Sequence, residues 1–289
     1  MSSVYNDFCL GYFKVSGQVV HIIPSTNASV TGIAVLNDKL FVSRWGSQQA
    51  VIYCPTTFQQ QGSFSFPAYP HGYGTQLRNM TACDINNCLC ASDQYTHYIY
   101  KADCQNNYTS SQWSVGGNPH GLSVTSSHNF LVALRDGHSL REYSTNGTQI
   151  RQIQLQPAGI TYPVHAVQLS QDRYAVTHHG PKHQFSIVDS DGKLVQSYGG
   201  DSGNLSNPYG VVVDKEGRVL VADQSNNRIL VISSKTLKAY PLPLSDCELD
   251  GPYSLHYDAA NDRLYIGEWN GGGGRVICCK LLLDRLRRR

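Results

Sequence analysis

Asn207–Ser233 reads NPYGVVVDKEGRVLVADQSNNRILVIS, and weaker copies of this layout recur along the whole chain. A Pro–aromatic–Gly opening leads into a β-branched run, a tight Asp-x-x-Gly turn, a second apolar run, a polar loop and a third run. Anchored on the glycine of that opening, the copies fall at Gly32, Met80, Gly121, His165, Gly210 and Ser254, at intervals of 48, 41, 44, 45 and 44 residues. A period of this length, filled by short strands and turns with no helical stretch between copies, is the sequence signature of a β-propeller. In the fifth copy Tyr209–Val213 is the expected innermost strand, Arg218–Ala222 the second, Arg228–Ser233 the third and Thr236–Leu242 the outer one. Val, Ile and Leu dominate these runs because strands covered on both faces have no polar side.

Six copies account for most of the 289 residues. The expected fold class is therefore all-β: one six-bladed β-propeller of four-stranded antiparallel blades over residues 1–283, with blades opening near residues 30, 77, 119, 163, 208 and 252. The last copy runs out without a fourth strand, while residues 13–23 have strand character and belong to no copy. That N-terminal strand is expected to complete the last blade and close the ring, which removes exposed sheet edges. A basic tail, 284–289, follows.

The formal net charge is only +2, and Lys280, Arg285, Arg287, Arg288 and Arg289 crowd the last ten residues. Without them the chain is close to neutral, which argues against a general grip on nucleic acid. No apolar run approaches the length of a membrane span. The N-terminal stretch lacks the basic and apolar regions of a secretory signal. These absences leave the compartment open and lean towards the cytoplasm. Nine cysteines are too many by one to pair fully, and no Cys-x-x-Cys exists. Buried thiols acting as small hydrophobes are expected. Five Asn-x-Ser/Thr sequons occur, at Asn27, Asn79, Asn107, Asn146 and Asn204.

The fifth copy resembles an NHL repeat through Pro208, Gly210, Asp214, Gly217, Val221, Ala222, Asp223, Asn227, Arg228 and Ile229. The second copy matches partly, through Asp84 and Asp93, and the third through Pro119 and Gly121. The others keep the strand pattern and lose most of the consensus. The resemblance implies a six-bladed propeller of the NHL kind. Such propellers are often joined to ubiquitin-ligase modules, and neither paired zinc-binding cysteines nor heptads are present in these residues.

In a propeller the loops before the inner strand and between the second and third strands open on one face, where a rigid scaffold gathers binding residues. His71, His120, His165, His178, Arg44, Trp45, Asp93, Tyr95, Arg135, Asp223, Glu268 and Trp269 are expected around that mouth. Arg44, Asp93, His178, Asp223 and Glu268 fall at nearly equivalent positions, at the ends of second strands. Asp93 and Asp223 are expected to bond the backbone of their own polar loops. The preferred reading is a non-catalytic scaffold without a cofactor. It would bind a protein or peptide through Arg44, Trp45, Asp93, Tyr95, Arg135, Asp223, Glu268 and Trp269, since Trp, Tyr and Arg dominate interface energetics.

Two alternatives follow from the resemblance. Amidating lyases with NHL-like repeats hold zinc on histidines, which here would be His120, His165 and His178. Calcium-dependent six-bladed lactonases use carboxylates, for which Glu268, Asp223 and Asp93 are the candidates. Either would make the protein a metal-dependent lyase or hydrolase acting at the central channel. NHL propellers are also used to bind RNA, for which Arg44, Trp45, Arg135, Tyr95, Tyr209 and Trp269 offer cations and stacking rings. Asp93, Asp136, Asp223 and Glu268 are expected to oppose that charge. There is no Gly-x-Ser-x-Gly nucleophile elbow, and Gly271–Gly274 is followed by neither the Lys-Ser/Thr nor the helix of a phosphate loop.

Overall fold

The computed structural model describes residues 13–67, 76–200 and 205–285; His71, Asn204 and residues 286–289 lie outside them. The chain forms six four-stranded antiparallel sheets. Their inner strands are Val30–Leu36, Leu77–Cys83, Pro119–Val124, Pro163–Ser170, Pro208–Val213 and Pro252–Asp258. These define blades one to six. Each inner strand packs against the next, and the sixth against the first, so the ring is closed.

Blade six takes its outer strand from the other end of the chain. Phe13–Thr26 pairs antiparallel with the third strand, Gly274–Arg285, from Phe13 opposite Arg285 to Thr26 opposite Gly274. The closing strand is longer than residues 13–23, and its partner takes in Asp284 and Arg285 from the expected tail. Val15 and Ile23 of this strand are buried in the core. The outer strand of blade five is short, Ala239–Pro241, in place of Thr236–Leu242. Leu237 turns through φ 54° just before it. Pro241 and Pro243 have no N–H to extend a ladder.

The core is not a single mass but six apolar clusters, one in each cleft between neighbouring blades. Between blades five and six, for example, Leu220 and Ile229 meet Leu255 and Ile266. Each blade thus has apolar contacts on both faces, which is the cause of the unbroken Val, Ile and Leu runs. Each such side chain contributes roughly 1.5–3 kcal/mol by burial. The eight described cysteines are free, and five of them are buried. The Asp-x-x-Gly turn has a local cause as well. Asp214 accepts from the N–H groups of Glu216 and Arg218 and pairs with the Arg218 guanidinium at 2.6 Å, while Gly217 supplies φ 75°.

Strand register corrects one step of the repeat. Asn79 stands opposite Ser92 as Gly32 stands opposite Ser43, so the repeat position in blade two is Asn79 and not Met80. The six positions then alternate. Blades one, three and five carry Gly32, Gly121 and Gly210; blades two, four and six carry Asn79, His165 and Ser254. A Cβ on Gly121 would lie 2.5 Å from the His165 Cα, and one on Gly210 would lie 2.7 Å from the Tyr253 carbonyl. The neighbouring blades approach too closely for a side chain there. The larger residues fill the alternate positions and tie blades together. Asn79 Oδ1 accepts from Leu122 N–H at 3.2 Å and His165 Nδ1 from Val211 N–H at 3.1 Å. Loss of the glycine in alternate copies is thus part of the packing. It also buries the Asn79 sequon, whereas Asn27, Asn107 and Asn146 are exposed.

Candidate ligand-binding mouth

At the start of every inner strand the pairing skips one or two residues. Such bulges re-aim a side chain. Five of the skipped residues, Arg78, His120, Val164, Tyr209 and Tyr253, together line the end of the central channel. They nearly fill it, leaving a cavity of about 10 Å³, room for about one water. A ligand has to sit on top of this plug.

Around the plug runs an arc of rings. Tyr95 and Trp45 lie 6.2 Å apart, Trp45 and Trp269 5.0 Å, Trp269 and Tyr253 4.9 Å, and Tyr253 and Tyr209 4.3 Å. Tyr209 continues to His179 at 4.9 Å, and His179 to His183 at 5.2 Å. Arg78 sits at the centre of curvature, its guanidinium carbon 5.3 Å from the Trp45 ring, 5.3 Å from Tyr253 and 4.9 Å from Trp269. Three partly desolvated cation–π contacts stabilise this placement, each by about 1–2 kcal/mol. Of the rings, Tyr95 is the most open, at 55% exposure.

The last residue of each second strand faces inwards. Arg44, Asp93, His178, Asp223 and Glu268 stand opposite Val30, Leu77, Pro163, Pro208 and Pro252, and blade three places Leu134 there. The three acids are fully buried. Each catches the lead-in to its own blade: Asp93 accepts from Gln76 N–H at 3.0 Å, Asp223 from Ser206 N–H at 2.8 Å, and Glu268 from Asp250 N–H at 2.8 Å. Asp93 also takes the N–H groups of Tyr95 and Thr96, which shapes the loop. Burial raises its carboxyl above the ordinary range, against the pull of those bonds. Asp223 pairs with Arg228 at 2.7 Å and Glu268 with Arg275 at 2.6 Å. Arg44 is a clamp, donating to the carbonyls of Ala28 at 2.8 Å and Gly274 at 2.7 Å. These four residues, placed on the binding face by sequence, hold the blades.

One residue further on, the side chains reach the rim: Trp45, Arg135, His179 and Trp269 are all half-buried. Arg135 lies 5.6 Å over the Tyr162 ring. Among the expected binding residues, Trp45, Tyr95 and Trp269 come together; Arg135 stands apart on Tyr162. Sequence reading missed Arg78 and Tyr253. A correct register in blade two would have aligned Arg78 with Tyr209 and Tyr253.

The imidazoles are committed elsewhere than to one metal. His120 Nδ1 donates to the Val164 carbonyl at 3.0 Å, and its Nε2 accepts from Arg78 Nε at 3.0 Å. His165 donates from Nε2 to the Leu122 carbonyl at 3.2 Å while its Nδ1 takes Val211 N–H. His178 Nε2 bonds the Ser186 hydroxyl at 2.9 Å. Among the described residues no cluster of three His, Cys, Asp or Glu has the arrangement to hold a metal ion. The alternative zinc set would have to break a hydrogen bond at His120 and at His165, and the calcium set would have to release Arg228 and Arg275. Desolvation holds His120 well below its usual range, with Arg78 and Arg135 adding to the effect. Desolvation lowers His165, His178 and His179 to about 4.

A closed ring of six four-stranded blades with a ring-lined mouth defines the class: a six-bladed β-propeller. Residues 205–232, in blade five, match the NHL repeat family model. The chain is an NHL-repeat propeller, with its most regular repeat in that blade. Over 118 residues it is 28% identical to Protein brain tumor of Drosophila melanogaster, covering 39% of this chain and 11% of that protein. It thus spans only about a tenth of that relative's length. Among solved structures it is similar to a streptogramin B lyase, with TM-score 0.64, 12% identity and coverage of 95% of this chain and 99% of that one. A virginiamycin B lyase from Staphylococcus aureus, solved with quinupristin, gives TM-score 0.62, 12% identity and coverage of 89% and 82%. Kuenenia stuttgartiensis hydrazine synthase gives 0.62, 16%, and 84% and 75%. At these identities the likeness is one of fold alone. No helix among the described residues is long and apolar enough to cross a membrane.

Proposed function

We propose that this NHL propeller is a non-catalytic scaffold that binds a protein segment or peptide on its mouth. The observation that carries the reading is the arc of rings from Tyr95 through Trp45, Trp269 and Tyr253 to Tyr209, set around Arg78 on a filled channel. Such an array gives rigid amphipathic contact area, the kind of surface on which a few residues dominate binding. The filled channel and the committed imidazoles support recognition over chemistry in the channel.

Single-stranded RNA is a weaker fit. It needs a track of accessible cations along the backbone. Here Arg78 is largely sunk and Arg135 rests on Tyr162. The test is a selection of random peptides on the whole protein, followed by titration of the selected peptides against Trp45→Ala and Trp269→Ala. Micromolar binders that lose affinity in both variants are expected. Binding of single-stranded RNA at physiological salt, in preference to peptides, would replace this reading. Stoichiometric zinc or calcium in elemental analysis, lost with His120→Ala, would replace it with a metal enzyme.

A further inference from the structure

We propose that the mouth recognises a carboxylate, so that its ligand is a peptide placing an acidic side chain or a free C-terminus on Arg78. This rests on the peptide-binding reading and adds the chemistry of the group bound at its centre.

Arg78 is only 8% exposed. Its one side-chain hydrogen bond among the described residues runs from Nε to His120 Nε2, which leaves both Nη groups unengaged. No ion pair of the described residues includes it. The nearby acids are turned elsewhere: Asp93 to backbone N–H groups, Asp223 to Arg228, Glu268 to Arg275. The charge opposition expected from these acids is therefore spent beneath the rim.

Tyr253 supplies the second, independent observation. It is 3% exposed, lines the same cavity, and its hydroxyl has no partner. Unengaged guanidinium N–H groups and a Tyr whose hydroxyl is unused thus line one cavity, the guanidinium carbon 5.3 Å from the Tyr253 ring centre. Buried donors without partners are costly, and most native ones are satisfied.

The chemistry of covering the mouth decides the ligand class. A peptide lying across the arc displaces the water that still reaches Arg78. A neutral ligand would leave the guanidinium desolvated and uncompensated, and a cationic one would be repelled. A carboxylate accepts both Nη groups side by side, the geometry guanidinium is built for. The flanking Trp and Tyr faces keep water from that contact, which strengthens it.

The experiment uses two probes of one shape, phenylacetate and phenylacetamide, titrated at pH 7 while the indole N–H resonances of Trp45 and Trp269 are followed. The acid is expected to bind at least about tenfold more tightly than the amide, with the preference lost in Arg78→Gln and partly kept in Arg78→Lys. Equal affinity of acid and amide, or a preference that survives Arg78→Gln, overturns the proposal. The comparison on the unaltered protein decides the matter even if the variants fold poorly. Selected peptides are then compared with C-terminal amides and with Asp→Asn or Glu→Gln versions, which tells a chain end from a side chain. Peptides that depend on Trp45 and Trp269 but ignore both changes would leave the peptide reading standing and remove this one.

Discussion

Asp93, Asp223 and Glu268 end their second strands without solvent exposure, whereas Trp45, Arg135, His179 and Trp269, one position further along, are half-open on the rim. The two rings are neighbours in sequence and differ in what answers them. The inner ring is answered by the protein itself, through loop N–H groups and through Arg228 and Arg275. The outer ring is answered by other rings, by the Arg78 cation beside Trp45 and Trp269, and at His179 by the Pro208 carbonyl. The buried acids of this mouth therefore serve folding, and the recognition proposed above falls to the rings and to Arg78.

Both rings need a closed circle, and opening it is the severest test. Removing residues 1–24 deletes most of the closing strand and exposes the edge of Gly274–Arg285. Loss of a cooperative thermal transition is expected by circular dichroism; an unchanged melting curve would show that the rings do not depend on closure.

Acid is the next largest perturbation. His165, His178, His179 and His256 are neutral in the fold, with desolvation lowering each to about 4. In the unfolded chain they titrate near 6.5. Between those values the unfolded state binds more protons, so stability falls as pH drops from about 6.5 to about 4 and is retained above about 7. Each fully developed shift is worth on the order of 3 kcal/mol. Urea denaturation measured across that window should show the loss; a flat profile would mean that these four imidazoles are not held desolvated in the fold.

Cutting one inner anchor sharpens the contrast further. Glu268→Ala leaves the Asp250 N–H without its acceptor and Arg275 without its carboxylate. A loss of about 2–4 kcal/mol is expected, lowering Tm by roughly 5–10 °C. By contrast, Trp45→Ala or Trp269→Ala should change stability by no more than about 1–2 kcal/mol and weaken peptide binding by about 2 kcal/mol, roughly thirtyfold. Calorimetry on both sets of variants separates the rings. If Glu268→Ala left Tm alone, or Trp269→Ala unfolded the protein, the division would be wrong.

Strand period, blade number and ring closure were legible in the sequence, because apolar runs buried on both faces and glycine turns leave a strong trace. The bonds of Asp93 to Tyr95 and Thr96 N–H were legible too, since Asp in a polar loop bonds nearby backbone, whereas Asp223 takes the N–H of Ser206 and meets only the side chains of Asn226 and Arg228 in its own loop. Arg44 was not legible, because its partners are two carbonyls, one of them 230 residues away. Nor was Arg78: the run Gln76–Met80 has no proline or glycine to fix its register, and a one-residue slip hides the alignment with Tyr253. Histidine spacing was equally silent about lone pairs already given to Arg78 and Val211.

The closing strand has a consequence for how the molecule is made. Phe13–Thr26 leaves the ribosome roughly 250 residues ahead of its partner Gly274–Arg285, a wait of roughly 10–50 s at ordinary translation speeds. Throughout that interval this strand of the nascent chain lacks the partner that holds it in blade six. A holding chaperone at the N-terminal segment would matter more here than anywhere else in the chain, and pausing late in translation would prolong the hazard.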